Sequence, residues 1–462
     1  MVPHPPLIVG EVGRGAEKTV QATIDAYRTV AKEIARLQPE TIIISSPHSV
    51  MYADYFHISP GSKAEGSFAR FNAPEVSFSE RYDEELVAAI CRETLTSAVH
   101  AGTKGERDAS LDHGTMVPLY FVRQCYTNYK LVRIGLSGEP YSEHYRLGQC
   151  IQRAIEKTGR NTVFIASGDL SHKLSADGPY GFAAEGPEYD EKIMDVMGHA
   201  AFGRLFDFDS AFCENAAECG HRSFLIMAGV LDGTAVKTDC LSHEGTTGVG
   251  YGICMYHPLG RDAERNFLAQ KLADIRNGED IYVQLARRTV ELYTHKAMTP
   301  RTENGRAHFP AADGENAELS LPEDMLSRRA GTFVSLHKDG QLRGCIGTIS
   351  ATENSIAEEI VRNAVCACSQ DPRFAPVTAA ELQFLVYSVD VLGPIEEISS
   401  AAELDVKRYG VICSKGRKRG LLLPNLEGVT NVEQQIEIAC RKGGITKAEK
   451  PSLSRFEVVR HH

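Results

Sequence analysis

The chain lacks the features that would place it in a membrane or mark it for export. No stretch of its 462 residues approaches the roughly 18 consecutive apolar residues that predict a membrane-spanning helix. The first six residues, Met-Val-Pro-His-Pro-Pro, also lack the basic and then apolar pattern of a secretory signal. We therefore expect a cytoplasmic protein without a membrane partner.

An excess of positive charge is also absent. Lysine and arginine together number 50 against 61 aspartates and glutamates, which gives a formal net charge of -11. Proteins that bind nucleic acids rely on clustered lysine and arginine to displace the counterions of phosphates. The composition therefore predicts no nucleic-acid partner. We interpret the single basic run as a solvated hairpin turn, formed by Lys415, Arg417, Lys418 and Arg419.

The 12 cysteines lack the tight, regular spacing of a disulfide framework. We interpret most of them as reduced, small apolar core residues. Cys345 lies on a predicted strand with no histidine or carboxylate fixed beside it by the sequence, so a buried structural thiol is the favoured interpretation. A thiol-dependent enzyme built around Cys345 is the alternative.

Strands and helices alternate through the first half of the chain. Apolar strands are predicted at residues 41–45, 131–136 and 162–166, and periodic helices at residues 17–38 and 142–157. Such alternation predicts an α/β domain with a mostly parallel sheet. The glycine-rich segment 245–256 is predicted to be its last strand. A break at residues 257–262 then closes a first domain over residues 1–260.

The second half has a different pattern, which predicts an α+β domain over residues 270–462. The turn Lys338-Asp339-Gly340 joins two short strands into a hairpin, because Asp-Gly supplies the positive φ angles that such turns need. Helices are predicted at residues 280–296 and 354–368. The polar stretch at residues 300–320 is predicted to be a long surface loop.

Five histidines stand in short polar loops, and two of them follow predicted strands directly. The carboxyl ends of parallel strands meet at one crevice, so these histidines are predicted to converge there. A lone histidine after a strand is more often a structural residue, but a cluster of imidazoles suits a metal ion. The five histidines are His4, His48, His113, His172 and His243.

A catalytic Fe(II) site of this kind needs two histidines and one carboxylate. Glu218 is the best candidate for the carboxylate, because it stands just before a predicted apolar helix at residues 222–231, and a helix N-terminus favours an anion. Cys219 is the rival ligand, and its thiolate would favour softer metals. In a third interpretation Glu218 only caps the helix.

These motifs resemble two known families. VPHPPLI, SSPHSV, LDHGTMVPL, SGDLSH and ECGHRSF are similar to the class III, LigB-type extradiol ring-cleavage dioxygenases and their relatives, the Memo proteins. LRGCIGT, DPRF, YGVICSKGRKRGLLLPNL and CRKGGI resemble the AMMECR-type domain. The fusion resembles the bacterial AmmeMemoRadiSam proteins, in which these domains are associated with a radical-SAM enzyme.

The resemblance implies roles for individual residues. His4 and His48 would bind the metal with Glu218 as the third ligand, His172 would act as acid and base, and His113 would lie in the substrate pocket. In the Memo branch the third ligand is a cysteine, so Glu218 and Cys219 both remain open. The family also places an apolar strand before the first histidine, so either the chain starts upstream or this strand is missing.

Together these features lead to one expected function and one alternative. We expect an Fe(II)-dependent extradiol-type dioxygenase that acts on a catechol-like aromatic substrate with O₂, forms a homo-oligomer and is fused to an AMMECR-type domain of unknown activity. The alternative is a Memo-like metal-binding or scaffold protein that works with a radical-SAM partner. Asp112 and Asp169 are candidates to orient imidazoles or to close turns. His243 and Glu244 either line the pocket or are solvated.

Overall fold

The structure, a computed structural model, describes residues 1–310, 317–426, 428–446 and 449–462. These residues form two compact units, Met1–Lys271 and Leu272–His462. Within the described ranges, no helix is both long and apolar enough to cross a membrane.

The first unit contains nine strands and eight complete α-helices among its described residues. Its strands are β1 (Thr41–Ser46), β2 (Phe56–His57), β3 (Lys63–Phe68), β4 (Ala73–Arg81), β5 (Ala101–Gly102), β6 (Lys130–Gly135), β7 (Thr162–Ala166), β8 (Thr234–Glu244) and β9 (Tyr251–Arg261). Its helices are α1 (Gly10–Gly13), α2 (Gln21–Leu37), α3 (Glu84–Thr96), α4 (His113–Arg123), α5 (Tyr141–Thr158), α6 (Glu185–Gly198), α7 (Ser210–Ala216) and α8 (His221–Val230). Helix α9 (Phe267–Gly278) crosses the division between the units.

A parallel sheet in the order β6-β1-β7 lies at the centre of the first unit. Every residue of β1 is buried, as expected for a run of β-branched residues covered on both faces. Helices α2 and α4 pack in the cluster on one face, whereas α3 and α5 pack in the cluster on the other. The predicted parallel sheet is confirmed in these three strands.

Two antiparallel hairpins complete the unit, β3–β4 and the longer β8–β9. The chain start lies between β7 and β9, because the Val2 amide donates to the Ala166 carbonyl and the Cys254 amide donates to the Met1 carbonyl. The predicted break between the two domains at residues 257–262 is wrong. Strand β9 continues through Arg261 and remains paired with β8.

The second unit is built from antiparallel strands and helices. Its strands are β10 (Arg301–Glu303), β11 (Arg306–Phe309), β12 (Ala317–Ser320), β13 (Thr332–Lys338), β14 (Gln341–Gly347), β15 (Leu385–Leu392), β16 (Glu396–Ile398), β17 (Gly410–Lys415), β18 (Lys418–Leu422), β19 (Ser452–Phe456) and β20 (Val458–His461). Its helices are α10 (Ile281–Lys296), α11 (Glu323–Ser327), α12 (Ile356–Ser369) and α13 (Val432–Lys442).

Three sheets organise these strands, in the orders β10-β11-β12, β14-β13-β15-β20 and β16-β19-β17-β18. Helices α10 and α12 share a core with the second sheet, and α13 packs in a separate core with the third. The hairpin at Asp339-Gly340 is confirmed, with φ angles of 55° and 77°. The hairpin carrying the basic run is confirmed as well.

The prediction of a long loop at residues 300–320 is wrong for the residues that the structure describes there. Strands β10 and β11 form a hairpin, and β12 adds a third strand, while residues 311–316 lie outside the described residues. Asn304 and Gly305 have φ angles of 52° and 77°, so they form the tight Asn-Gly turn that short hairpins prefer. This dipeptide was the sequence signal for the hairpin.

Candidate metal centre and adjoining pocket

The candidate site is assembled from loops at the carboxyl ends of β1 and β7, where the sequence predicted convergence. His48 follows β1, and His172 follows β7. His4 reaches the same place because its backbone amide donates to Asp169 Oδ1 at 2.7 Å. Its Nδ1 lies 2.9 Å from Ser167 Oγ, which leaves Nε2 directed toward the other site residues.

Two glycines let the contributing loops approach each other. A Cβ atom on Gly168 would lie 2.1 Å from the Gly220 Cα, so a larger residue at position 168 would separate the two backbones. The approach brings the Cys219 sulfur within 3.2 Å of the Asp169 amide, which donates to it. The thiol is thereby held beside the histidine loops.

Three donor atoms converge in this site. His4 Nε2 lies 3.0 Å from His48 Nε2 and 3.6 Å from the Cys219 sulfur, and all three atoms lie within 4.8 Å of one another. Metal–nitrogen bonds of about 2.1 Å meeting at a right angle place two nitrogens about 3.0 Å apart. The donor set therefore fits one transition-metal ion, for which imidazole and thiolate are suitable ligands.

The protonation of these groups also suits a metal. Burial lowers the pKa of His4, and burial together with the neighbouring imidazoles lowers the pKa of His48 to about 3. Both imidazoles are therefore neutral near pH 7 and free to bind a metal. Burial raises the pKa of the Cys219 thiol, helped by the charges of Asp169 and Glu218. Metal binding at Cys219 must displace that proton.

The structure does not bring Glu218 to the two histidines. Its Oε2 instead accepts a hydrogen bond from the His221 amide at 2.6 Å, at the start of α8. Neither of the metal-compatible groups found among the described residues includes Glu218, whereas both include Cys219. The geometry therefore favours the cysteine alternative and the capping interpretation of Glu218.

His113 and His172 lie beside the three donors. The His113 ring centroid is 4.0 Å from that of His48, and burial lowers the pKa of His113 to about 4. His172 Nε2 lies 3.9 Å from Asp169 Oδ2 and forms a second donor group with Asp169 and Cys219. Four of the five predicted histidines thus occupy one site.

The fifth histidine, His243, does not belong to the donor groups. Its Nε2 lies 3.1 Å from Asp190 Oδ2, and the other oxygen of that carboxylate accepts from the Ser171 amide at 2.8 Å. Sequence reasoning missed Asp190, which holds the loop before His172. The neighbouring Glu244 accepts hydrogen bonds from the backbone and hydroxyl of Thr23.

Both candidate orienting carboxylates have defined partners. Asp169 contacts the His4 amide and faces His172, which supports an orienting role. Asp112 accepts from the Thr115 amide at 3.0 Å and from the Ser46 hydroxyl at 2.5 Å. Asp112 therefore caps α4 and fixes the start of the helix at His113.

A cavity of about 1010 Å³ opens beside His48 and His113. Its walls come from the β3–β4 hairpin and from α4, and they include Phe71, whose ring lies 5.5 Å from that of His113. The volume is at the upper end of ordinary small-molecule sites, which measure about 300–1,000 Å³. No motif in the sequence indicated a role for this hairpin.

Comparison with known proteins assigns both halves of the chain. Residues 1–254 match the family described as the catalytic LigB subunit of aromatic ring-opening dioxygenase. Residues 283–461 match the AMMECR1 family.

One relative aligns with this chain over its full length. A protein from Clostridium acetobutylicum is 40% identical over 476 aligned residues, covering 100% of this chain and 98% of its own. A protein from Thermotoga maritima is 45% identical over 188 residues, which cover 40% of this chain and 98% of the relative. A crystal structure of an uncharacterised protein from Pyrococcus horikoshii is also similar, with 29% sequence identity and a TM-score of 0.33. The alignment covers 40% of this chain and 89% of that protein's chain.

Proposed function

Because this chain belongs to the LigB family and carries an AMMECR1 domain after its LigB domain, we propose that the first domain is a metal-dependent extradiol-type dioxygenase. Its substrates are O₂ and a catechol-like aromatic compound. The observation that carries the proposal is the convergence of His4, His48 and Cys219 next to the cavity lined by His48 and His113.

The proposed metal is Fe(II), held by His4, His48 and Cys219. Bound Fe(II) supplies positions for both catechol oxygens and for O₂, and it conducts electrons between them. The thiol departs from the two-histidine, one-carboxylate set of non-haem iron oxygenases. Asp169 lies close to the set, and its hydrogen bond to the His4 amide fixes the position of that ligand.

His172 is the proposed acid and base. An imidazole nitrogen can accept the proton of a catechol hydroxyl and later return it. The ring faces Asp169 at 3.9 Å and stacks on Tyr180, with 5.0 Å between the ring centroids. These two neighbours hold the imidazole in a defined orientation beside the donor atoms.

The cavity supplies the place for an aromatic ring. The rings of His113 and Phe71 line it and meet edge to face, and Met116 adds an apolar lining residue. Neutral His113, with its lowered pKa, can donate or accept a hydrogen bond with a substrate hydroxyl without carrying charge. The cavity therefore combines apolar contact with polar groups near the proposed metal.

The test is reconstitution of the anaerobically purified full chain with Fe(II), followed by a panel of catechols. We expect O₂ consumption that requires both iron and a catechol, with a new absorption band from the ring-opened product. Dihydroxybenzenes whose hydroxyls are not adjacent are the matched control, since they cannot chelate one metal through both oxygens. Loaded protein that consumes no O₂ with any catechol would refute the proposal.

One observation favours a second candidate function. A half-buried thiol at the third ligand position resembles the Memo branch, so the domain would then bind a metal without cleaving rings and would serve a radical-SAM partner. Tight metal binding that depends on Cys219, combined with no catechol-dependent O₂ uptake, is the result expected from this candidate. Co-purification with a radical-SAM protein, tested with full-length and Cys219→Ser chains, would then identify the partner.

A further inference from the structure

Two cysteines of the first unit face each other across the β8–β9 hairpin. Cys240 of β8 and Cys254 of β9 are register partners in this antiparallel pair. Both are free thiols, and Cys240 is exposed whereas Cys254 is buried. A reagent in solution can therefore reach the Cys240 sulfur but not the Cys254 sulfur.

The backbone shows that these residues form the closer type of antiparallel pair. The Cys254 amide donates to the Met1 carbonyl at 3.2 Å, and the Cys254 carbonyl accepts from the Met1 terminal nitrogen at 2.7 Å. Cys254 therefore turns its backbone groups away from β8. Opposite residues that exchange no hydrogen bonds have Cα atoms about 4.5 Å apart, within the range of about 4.4–6.8 Å that a disulfide spans.

Both side chains lie on the face of the hairpin that is turned toward α6. Side chains alternate along a strand, and Tyr256, two residues after Cys254, donates to the Met197 carbonyl of α6 at 2.9 Å. A Cβ atom on Gly198, also in α6, would lie 4.0 Å from the Cys240 Cβ. Burial raises the pKa of Cys254 to about 12, and Cys240 adds to this rise through its charge and a hydrogen bond. The two thiols are therefore direct neighbours.

We propose that Cys240 and Cys254 form a redox modification site, at which an oxidant of the peroxide class joins the two sulfurs by a cross-strand disulfide. An exposed thiol beside a second, resolving thiol is the arrangement that converts a sulfenic acid into a disulfide. Thiol exchange reverses a disulfide, whereas further oxidation of a lone sulfenic acid to the sulfinic acid is irreversible without a dedicated enzyme. Cys254 also pairs with Met1, three residues before His4, so the bond ties β8 to the residue of β9 that holds the segment before the proposed metal ligand.

The oxidation can be written in full with hydrogen peroxide. The Cys240 sulfur attacks one peroxide oxygen, so an S–O bond forms as the O–O bond breaks, and the leaving hydroxide takes up the thiol proton to give water. The Cys254 sulfur then attacks the Cys240 sulfur. The S–S bond forms as the S–O bond breaks, and the departing hydroxide takes up the Cys254 proton as a second water. The two thiols are oxidised by two electrons in total, and one peroxide is reduced to two waters.

The experiment treats the native full chain with hydrogen peroxide beside a chelator that removes free iron, blocks the remaining thiols and maps the peptides without reductant. Trypsin leaves both cysteines in one peptide, residues 238–261, because no lysine or arginine lies between Lys237 and Arg261. Cleavage after Glu244 then separates the two cysteines unless a disulfide joins them. We expect joined fragments that dithiothreitol separates, with a parallel loss of free thiol at both positions.

Two variants test whether the strand register selects this pair. In Cys254→Ala the Cys240 sulfenic acid has no resolving thiol, so dimedone should trap it in far larger amounts than in the wild type. The double variant Asp239→Cys with Cys240→Ser keeps two thiols but places the first on the opposite face of β8, where the Asp239 carboxylate lies 3.0 Å from His257 Nε2. This variant should give no joined fragments.

Two results would overturn the proposal. One is that the fragments of the oxidised wild type separate without reductant after cleavage at Glu244. The other is an equal yield of joined fragments from the double variant, in a chain with unchanged circular dichroism, because the register would then not select the pair.

Discussion

Replacement of Cys219 with serine is the sharpest test of the metal centre. The Cys219 sulfur lies 3.6 Å from His4 Nε2 and belongs to both metal-compatible groups. Serine preserves the size of the side chain but replaces a soft thiolate with a hydroxyl, a much poorer ligand for late transition metals. The variant should therefore fold normally and bind metal weakly.

The expected magnitude follows from the number of ligands lost. Changes to groups that only orient a ligand weaken metal affinity by about 10- to 100-fold. Loss of one of three direct donors should exceed that range, so we expect at least about 100-fold weaker binding, or about 2.8 kcal/mol. Glu218→Gln keeps an oxygen that can accept from the His221 amide, so its metal affinity should stay within about threefold of wild type.

The assay is anaerobic competition of Fe(II) and Zn(II) between the protein and a chelator of known affinity. Urea unfolding of the metal-free proteins controls for stability, and Glu218→Ala should lose about 1 kcal/mol there because it removes the cap of α8. The assignment of Cys219 would be refuted if Cys219→Ser bound metal as tightly as wild type while Glu218→Ala lost it.

Four further predictions follow from the site and the cores. His48→Ala should abolish metal loading while His243→Ala, whose imidazole pairs with Asp190, should not; equal iron in wild type and His48→Ala would contradict this. His172→Phe should keep the metal but lose about 10²- to 10⁴-fold in turnover, and activity within about twofold of wild type would exclude its acid/base role. Residues 270–462 alone should form a folded domain without iron, because their core clusters are their own, and an insoluble fragment would argue against that. Burial lowers the pKa of His144 to about 3, so below about pH 6.5 the unfolded chain takes up a proton that the native state excludes. The free energy of unfolding should therefore fall by on the order of 2 kcal/mol for this histidine between pH 7 and pH 5. Urea unfolding curves of His144→Leu should show a smaller dependence on pH.

Local sequence patterns determined much of the fold. The β-branched run at residues 41–45 could form little other than a buried strand, and Asp339-Gly340 specified a tight turn, because both signals depend on neighbouring residues alone. The convergence of His48 and His172 was also predictable. It follows from the rule that parallel strands end at one edge, without any knowledge of side-chain contacts.

Only the tertiary structure shows which of Glu218 and Cys219 lies beside the histidines. Glu218 and Cys219 are adjacent, and their composition and spacing are equally compatible with a metal site. Ala217 adopts a left-handed conformation with φ of 53° as α7 ends, and the chain then passes against the Asp169 loop. That path directs the Cys219 sulfur to the histidines and the Glu218 carboxylate to the start of α8, and backbone direction of this kind has no local sequence signature.

Local sequence also does not predict the groups that surround His113 and Cys345. The cavity beside His113 depends on a hairpin, β3–β4, that is distant in sequence from the histidine loops. The Cys345 sulfur accepts a hydrogen bond from Ser335 of the neighbouring strand, and the Cys345 amide donates to Asp371, contacts that its sequence neighbours did not indicate. The sequence by itself determined which elements form and which chemical groups are present. Apart from the two histidines at the strand ends, long-range packing determined which of those groups meet, because contacts between distant segments depend on how the whole chain buries its apolar surface.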